Sequence, residues 1–182
     1  MLPSPVVLTV GHSNRSLDSF LRILASHGVR RLADVRRFPA SQRHPHFDRD
    51  RLVAALAPAG VAYRHFEALG GRREEAPDSL HTALPPGPFR AYADHMDTAA
   101  FREALEALLA FARAEPTAAL CAEADPARCH RSLLADTLLA RGARVQHLLA
   151  EATARDHALP GFARILGDRV RYDGGTLPMN FG

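Results

Sequence analysis

Short continuous apolar runs alternate with amphipathic stretches along this chain, and the alternation predicts strands interleaved with helices. Residues 5–10 (Pro-Val-Val-Leu-Thr-Val) form one such run, the pattern of a strand buried on both faces. The loop Gly11-His12-Ser13-Asn14-Arg15 follows, and Ser16 is placed to N-cap a helix whose apolar face is Leu17, Phe20, Leu21 and Leu24. Gly28 stops that helix. Residues 29–35 read as a second strand and 36–47 as a loop rich in Arg, Pro and His. Asp48 caps a helix ending near Pro58-Ala59-Gly60, and residues 61–66 make a third strand. Segment 67–88 contains Gly70-Gly71 and four prolines, and it reads as a long excursion that serves as a lid or simply moves. Residues 89–96 and 98–114 are helical in pattern, with Phe101, Leu105, Leu108 and Leu109 on one face of the second. Residues 117–123 form a fourth buried strand, Asp125-Pro126 opens a helix running to about Ala140, and residues 144–149 form the fifth strand. Beyond Glu151 the pattern predicts a short helix, the segment 169–172 and a turn at Asp173-Gly174-Gly175.

This order implies a single α/β domain over residues 1–182, with 151–182 as a C-terminal extension. The expected fold is doubly wound and Rossmann-like, a mainly parallel sheet of about five strands with right-handed crossovers and helices on both faces. The expected spatial order is 3-2-1-4-5, which sets strands one and four side by side at the switch point where such sheets hold ligands.

Composition narrows the classes further. A chain of 182 residues, 47% hydrophobic and 24% charged, has enough apolar material for one core without a disulfide or a structural metal. No apolar stretch approaches the roughly 20 residues of a membrane helix, so no membrane association is expected. Residues 1–5 lack a basic region ahead of an apolar run, which argues against a secretory signal, and two cysteines make no disulfide framework. The expected location is the reducing cytoplasm. All 23 basic residues are arginine, which excludes lysine Schiff-base chemistry, pyridoxal phosphate attachment and a Walker lysine. A net charge of +3 does not by itself argue for nucleic acid.

The ionisable residues cluster at the carboxyl ends of the predicted strands. Strand one ends in Gly11-His12-Ser13-Asn14-Arg15, strand two in Asp34-Val35-Arg36-Arg37, and strand four in Cys121-Ala122-Glu123, with Cys129-His130-Arg131 at the start of the next helix. A thiol at a helix N-terminus beside an arginine is poised to ionise, so Cys129 reads as a nucleophile or redox thiol with His130 as proton carrier. The same donors can instead hold a phosphate, with Arg131 as a bidentate clasp, or the segment can be a capping turn with a packed cysteine. Cys121 lies in an apolar run and reads as buried, with redox or metal pairing to Cys129 as the sharper option. Asp34 and Glu123 terminate buried strands, where a carboxylate needs a partner; Arg36, Arg131 and Arg15 are at hand. These pairs are either a structural network or a general acid or base with anion clamps, Glu123 being the better acid/base candidate. His12-Ser13 offers a hydrogen-bonding dyad, without a nucleophile elbow around it. The loop 36–47 combines three arginines, two histidines and two aromatics, a mixture suited to phosphate contact and base stacking. Its His44-x-His46 pair alone does not define a metal site, and none is assigned. No Gly-x-Gly-x-x-Gly follows strand one, which argues against a dinucleotide in the usual mode, and no motif specifies a cofactor.

Thr9-Val-Gly-His-Ser-Asn14, Asp34-Val-Arg36, Leu69-Gly-Gly-Arg72 and Cys121-Ala-Glu-Ala-Asp-Pro-Ala-Arg-Cys-His-Arg131 together resemble the signature of the bacterial domain-of-unknown-function family 488. The resemblance spans roughly residues 6–149 and implies a single-domain α/β protein, but brings no reaction with it. The residues themselves leave three readings. The first is an enzyme with catalytic Cys129, His130, Glu123, Asp34 and His12 and anion-binding Arg36, Arg131, Ser13 and Arg15. It would hydrolyse, or transfer a group from, a phosphate-bearing nucleotide, nucleoside or nucleic-acid end. The second is a non-catalytic nucleic-acid or nucleotide binding module. The third is a thiol redox or metal-handling protein.

Overall fold

The computed structural model describes residues 4–174. Its elements in chain order are β1 (Val6–Gly11), α1 (Leu17–Ser26), β2 (Arg31–Asp34), α2 (Arg49–Leu56), β3 (Ala62–His65), α3 (Pro88–Met96), α4 (Ala99–Ala114), β4 (Thr117–Cys121), α5 (Arg131–Ala140), β5 (Arg144–Ala150), β6 (Thr153–Asp156), β7 (Ala163–Leu166) and β8 (Arg169–Tyr172). Local chemistry accounts for several boundaries. Ser16 Oγ accepts the Ser19 N–H at 3.2 Å, as an N-cap should, and Gly28 takes up a φ of +65° just past α1. Asp48 stands at the cap position of α2 but spends its carboxylate elsewhere, accepting the Ser41 N–H at 2.7 Å and so tying down the 36–47 loop.

The fold is α/β and roughly Rossmann-like: a mainly parallel six-stranded mixed sheet ordered β3-β2-β4-β1-β5-β6. The expected order 3-2-1-4-5 is corrected to 3-2-4-1-5, because β4 enters between β2 and β1 and pairs in parallel with both. The β1–α1–β2 crossover leaves one lane vacant, and β4 is suited to fill it. All five of its residues are buried, and Ala118 and Ala119 are small enough for close packing on both faces of the sheet. The adjacency of strands one and four survives the correction, and the loops after β1, β2 and β4 emerge on one edge.

Alternate residues of each strand feed two cores. Leu8, Val10, Leu32, Ala118 and Leu120 pack with Phe20, Ile23 and Leu24 of α1, Leu52 and Leu56 of α2, and Phe47. Val7, Ala33, Ala119 and Val145 face the opposite core, with Tyr92, Phe101, Leu105, Leu108 and Leu134 of α3, α4 and α5. Each fully buried Leu or Phe contributes about 1.5–3 kcal/mol through removal from water.

The expected short helix after Glu151 is not found among the described residues. The chain instead reverses through Glu151 and Ala152, the latter at φ +54°, and β6 returns antiparallel to β5. β7 and β8 form a separate hairpin turned at Gly167, and Val170 and Tyr172 are buried. Asp173 and Gly174 follow β8; Gly175 of the expected turn lies outside the described residues. The 67–88 excursion is pinned to α3: the Ala76 N–H and Ser79 Oγ–H both donate to Asp94, and His81 is fully buried against Asp97.

Candidate functional site

A crevice of about 910 Å³ opens at the carboxyl edge of β1, β2 and β4. Its lining includes His12, Ser13, Arg36, Glu123, Cys129 and His130 from the expected set, joined by Arg37, Phe38, Arg43, His44 and Arg72. The end of β1 lies flush against the loop after β4. His12 N–H donates to Cys121 O at 3.1 Å and Ser13 N–H to Ala122 O at 2.7 Å. Gly11 is required here, since a Cβ on it would stand 1.7 Å from the Glu123 carbonyl oxygen.

His12 is 3% exposed and stacks on Phe47 with ring centroids 4.5 Å apart. Its Nδ1 lies 2.9 Å from the Ser13 carbonyl, which can only accept, so Nδ1 carries the hydrogen and Nε2 of the neutral ring carries a lone pair. Burial, only partly offset by that hydrogen bond, pushes its pKa down to about 4. His12 is therefore a neutral base at pH 7.

The expected helix from Asp125 is split. A 3-10 turn, Pro126–Arg128, capped by Asp125 Oδ1, precedes α5, and Cys129 is the extended residue between them. This places the Cys129 Sγ on the crevice floor, 3.5 Å from the Arg131 N–H that donates to it and 3.6 Å from His130 Nδ1. Cys121 Sγ is 2.7 Å away, and both cysteines are free. The hydrogen bond from Cys121 pulls the Cys129 pKa down to about 4 against the cost of burial, with His130 and the Arg131 N–H assisting. Burial raises Cys121 well above the usual thiol range. Ionisation of the pair therefore favours Cys129, the sulfur that also accepts the Arg131 N–H. His130 Nε2 donates to the Val35 carbonyl at 3.1 Å, leaving Nδ1 turned to the sulfur. Gly70 and Gly71 make room: a Cβ on Gly70 would lie 2.5 Å from Arg37 N, and one on Gly71 would press on the His130 ring at 3.0 Å.

Other expected residues are placed differently. Asp34 is fully buried beneath the crevice and does not line it. Its Oδ1 accepts Arg36 N–H (3.1 Å) and Nε–H (2.9 Å), and its Oδ2 accepts Arg36 Nη2–H (2.6 Å) and Tyr63 O–H (2.7 Å). Arg36 gives its remaining nitrogen, Nη1, to Phe47 O at 2.9 Å, so each guanidinium nitrogen and both carboxylate oxygens are engaged within the protein. Glu123, expected as a carboxylate needing a partner, is exposed at the rim, where water solvates it. Arg15 is spent on the carbonyls of Gly11 and Leu149 and does not line the crevice. Arg131 is 1% exposed behind the thiols; Nη2 donates to Ala124 O at 3.1 Å, while Nε and Nη1 have no partner among the described residues. His46 turns to the Arg15 carbonyl, away from the crevice that His44 lines.

Sequence reasoning missed Arg72 as a lining group. It also missed a second cavity of about 640 Å³ that shares Pro88 and Phe89 with the crevice. One wall of that cavity is a hydrogen-bonded chain. Thr9 Oγ1 meets His147 Nδ1 at 2.6 Å, His147 Nε2 meets His157 Nδ1 at 2.9 Å, and Asp136 accepts from His157 Nε2 at 2.8 Å and Tyr172 O–H at 2.6 Å. Every nitrogen and carboxylate oxygen of the chain is engaged, so it braces β1, β5, α5 and β8 together. Burial pushes the pKa of His147 down to about 3, with neighbouring cations adding to the shift.

Fold and site together define a Rossmann-like α/β protein with a cysteine side chain lining a crevice rich in arginine. The chain belongs to the family described as domain of unknown function DUF488, whose model matches residues 16–138. That span takes in Asp34, Arg36, Glu123 and Cys129–Arg131 but begins after His12, Ser13 and Arg15. No curated protein and no solved structure matches it. No helix among the described residues is long and apolar enough to cross a membrane.

Proposed function

We propose that the protein is an enzyme acting on a phosphate-bearing substrate, a nucleotide, nucleoside or nucleic-acid end, by group transfer or hydrolysis through Cys129. The observation that carries this reading is the Cys129 side chain lining a crevice that Arg37, Arg43 and Arg72 also line. None of these three has a carboxylate within ion-pair distance among the described residues. The anion clamp expected of Arg36 and Arg131 thus passes to these three, as point or bidentate contacts to phosphate. Cys129 passes its proton to His130 Nδ1, its Sγ attacks the electrophilic centre, and Nδ1 delivers that proton to the leaving group. In the hydrolytic branch His12 Nε2 accepts a proton from water, which then displaces the thiol. Glu123, at the mouth, assists proton exchange with solvent.

The exposed Phe38 ring, with Arg37 over it at 5.4 Å, suits stacking of a base and also fits a non-catalytic nucleic-acid module. One experiment separates the readings. Cys129 is alkylated with iodoacetamide while inorganic phosphate, nucleoside monophosphates and short oligonucleotides are titrated in, and the same compounds are assayed for turnover. Protection that weakens in Arg72→Ala, with turnover lost in Cys129→Ser, is the expected outcome. Salt-dependent protection without turnover favours the binding module. No protection by any of these anions refutes both.

A further inference from the structure

The group transfer proposed above uses one thiol, yet the structure supplies two. Cys121 closes β4 and Cys129 precedes α5, and the 3-10 turn between them brings their sulfurs to 2.7 Å, against about 2.05 Å in a disulfide bond. The two are unequally accessible. Both are buried, but Cys129, 6% exposed, lines the crevice, whereas Cys121, 1% exposed, does not, so an external sulfur meets Cys129 first. Around the pair stand a proton carrier, His130 Nδ1 at 3.6 Å from Cys129, and the buried guanidinium of Arg131, whose Nε and Nη1 have no partner among the described residues. A buried cation in that state favours negative charge on the neighbouring sulfurs.

We propose that Cys129 and Cys121 form a dithiol couple that exchanges with disulfides of small anionic thiols, Cys129 attacking and Cys121 resolving. In the first step the Cys129 thiolate bonds to one sulfur of the external disulfide RSSR. The S–S bond breaks, and RS⁻ takes up the proton that Cys129 passed to His130 Nδ1 on ionising. In the second step the Cys121 sulfur attacks Cys129 Sγ, the mixed disulfide breaks, and the second RS⁻ leaves with the Cys121 proton. The protein loses two protons and two electrons, and RSSR becomes two RSH. The arginines of the rim attract a disulfide whose carriers are negatively charged, and oxidised glutathione is such a molecule. This activity rests on the geometry of the two thiols and stands whether or not the crevice turns over a phosphate-bearing substrate.

The test is to mix the reduced full chain with oxidised glutathione, quench with acid, alkylate, and measure intact mass over time. Wild type should lose both alkylatable thiols and carry no retained glutathione. Cys121→Ser should accumulate one glutathione per chain at Cys129, and Cys129→Ser should react about 100-fold more slowly than wild type, as a buried thiol with a raised pKa must. Dithiothreitol should return the wild-type product to two free thiols. The wild-type measurement needs no variant: an unreacted chain, or one that keeps a stable mixed disulfide, overturns the proposal. Equal reactivity of Cys129→Ser and wild type overturns the assignment of roles. Turnover of phosphate-bearing compounds is not read in this assay, so its failure and the failure of the proposed group transfer are separable.

Discussion

Arg36→Ala tests whether the Asp34–Arg36 pair is a brace or a reserve of charge for a ligand. Asp34 has no exposure, and Arg36 is 6% exposed. The substitution removes the Nε donor at 2.9 Å and the Nη2 donor at 2.6 Å from the carboxylate, and the Nη1 donor at 2.9 Å from the Phe47 carbonyl. Asp34 retains the Tyr63 hydroxyl and one backbone N–H, which leaves an uncompensated buried charge. Breaking such a pair costs about 3–5 kcal/mol. With a urea dependence of about 2 kcal/mol per molar, the unfolding midpoint should fall by about 1.5–2.5 M. Urea titration followed by far-UV circular dichroism measures it, with the exposed Glu123→Ala as a control expected within about 0.5 kcal/mol of wild type. Removing Asp34 as well should restore part of the loss, because the stranded charge goes with it. A loss below about 1 kcal/mol for Arg36→Ala refutes the bracing role and returns the arginine to the anion site.

Three further outcomes follow from the same geometry. With the Cys129 pKa down at about 4, its alkylation rate should be nearly flat from about pH 6 to 8 and fall only near pH 4; a tenfold rise per pH unit up to pH 8 would contradict a thiolate. His12 and His147 are held neutral with pKa values of about 4 and about 3, below their usual 6.5, so the unfolded chain binds more protons below pH 6.5. Stability should therefore be complete above pH 6.5 and decline steadily as pH falls toward 4, and a urea midpoint independent of pH across that window would be inconsistent with buried neutral rings. Gly11→Ala forces a Cβ to within 1.7 Å of the Glu123 carbonyl, a backbone atom that cannot swing aside. It should cost at least about 2 kcal/mol, and a wild-type melting curve would show that the β1 and β4 loops are not in close register.

The periodicity of apolar residues determined β1 to β5 and their helices, because burial on one or both faces is a property each segment carries by itself. Ser16 and Gly28 marked the limits of α1 for a similarly local reason. The placement of His12, Asp34, Glu123 and Cys129 at one sheet edge was also legible, since parallel crossovers leave every strand's carboxyl end on the same side. β6 was not. Its four residues, Thr153–Asp156, are all exposed, so an edge strand held by backbone hydrogen bonds to β5 leaves no apolar trace. The insertion of β4 between β2 and β1 was equally hidden, because a right-handed crossover is satisfied whether it skips a lane or not. Partner choice lay beyond the sequence altogether. Arg36 and Arg131 both follow the end of a buried strand, yet one saturates Asp34 and the other keeps two buried nitrogens without a partner among the described residues. Cys121 and Cys129, eight residues apart, meet only because the Pro126–Arg128 turn doubles the chain back. Burial preference belongs to single residues and survives in their order along the chain. Contact belongs to pairs, and it depends on distances that only the folded backbone sets.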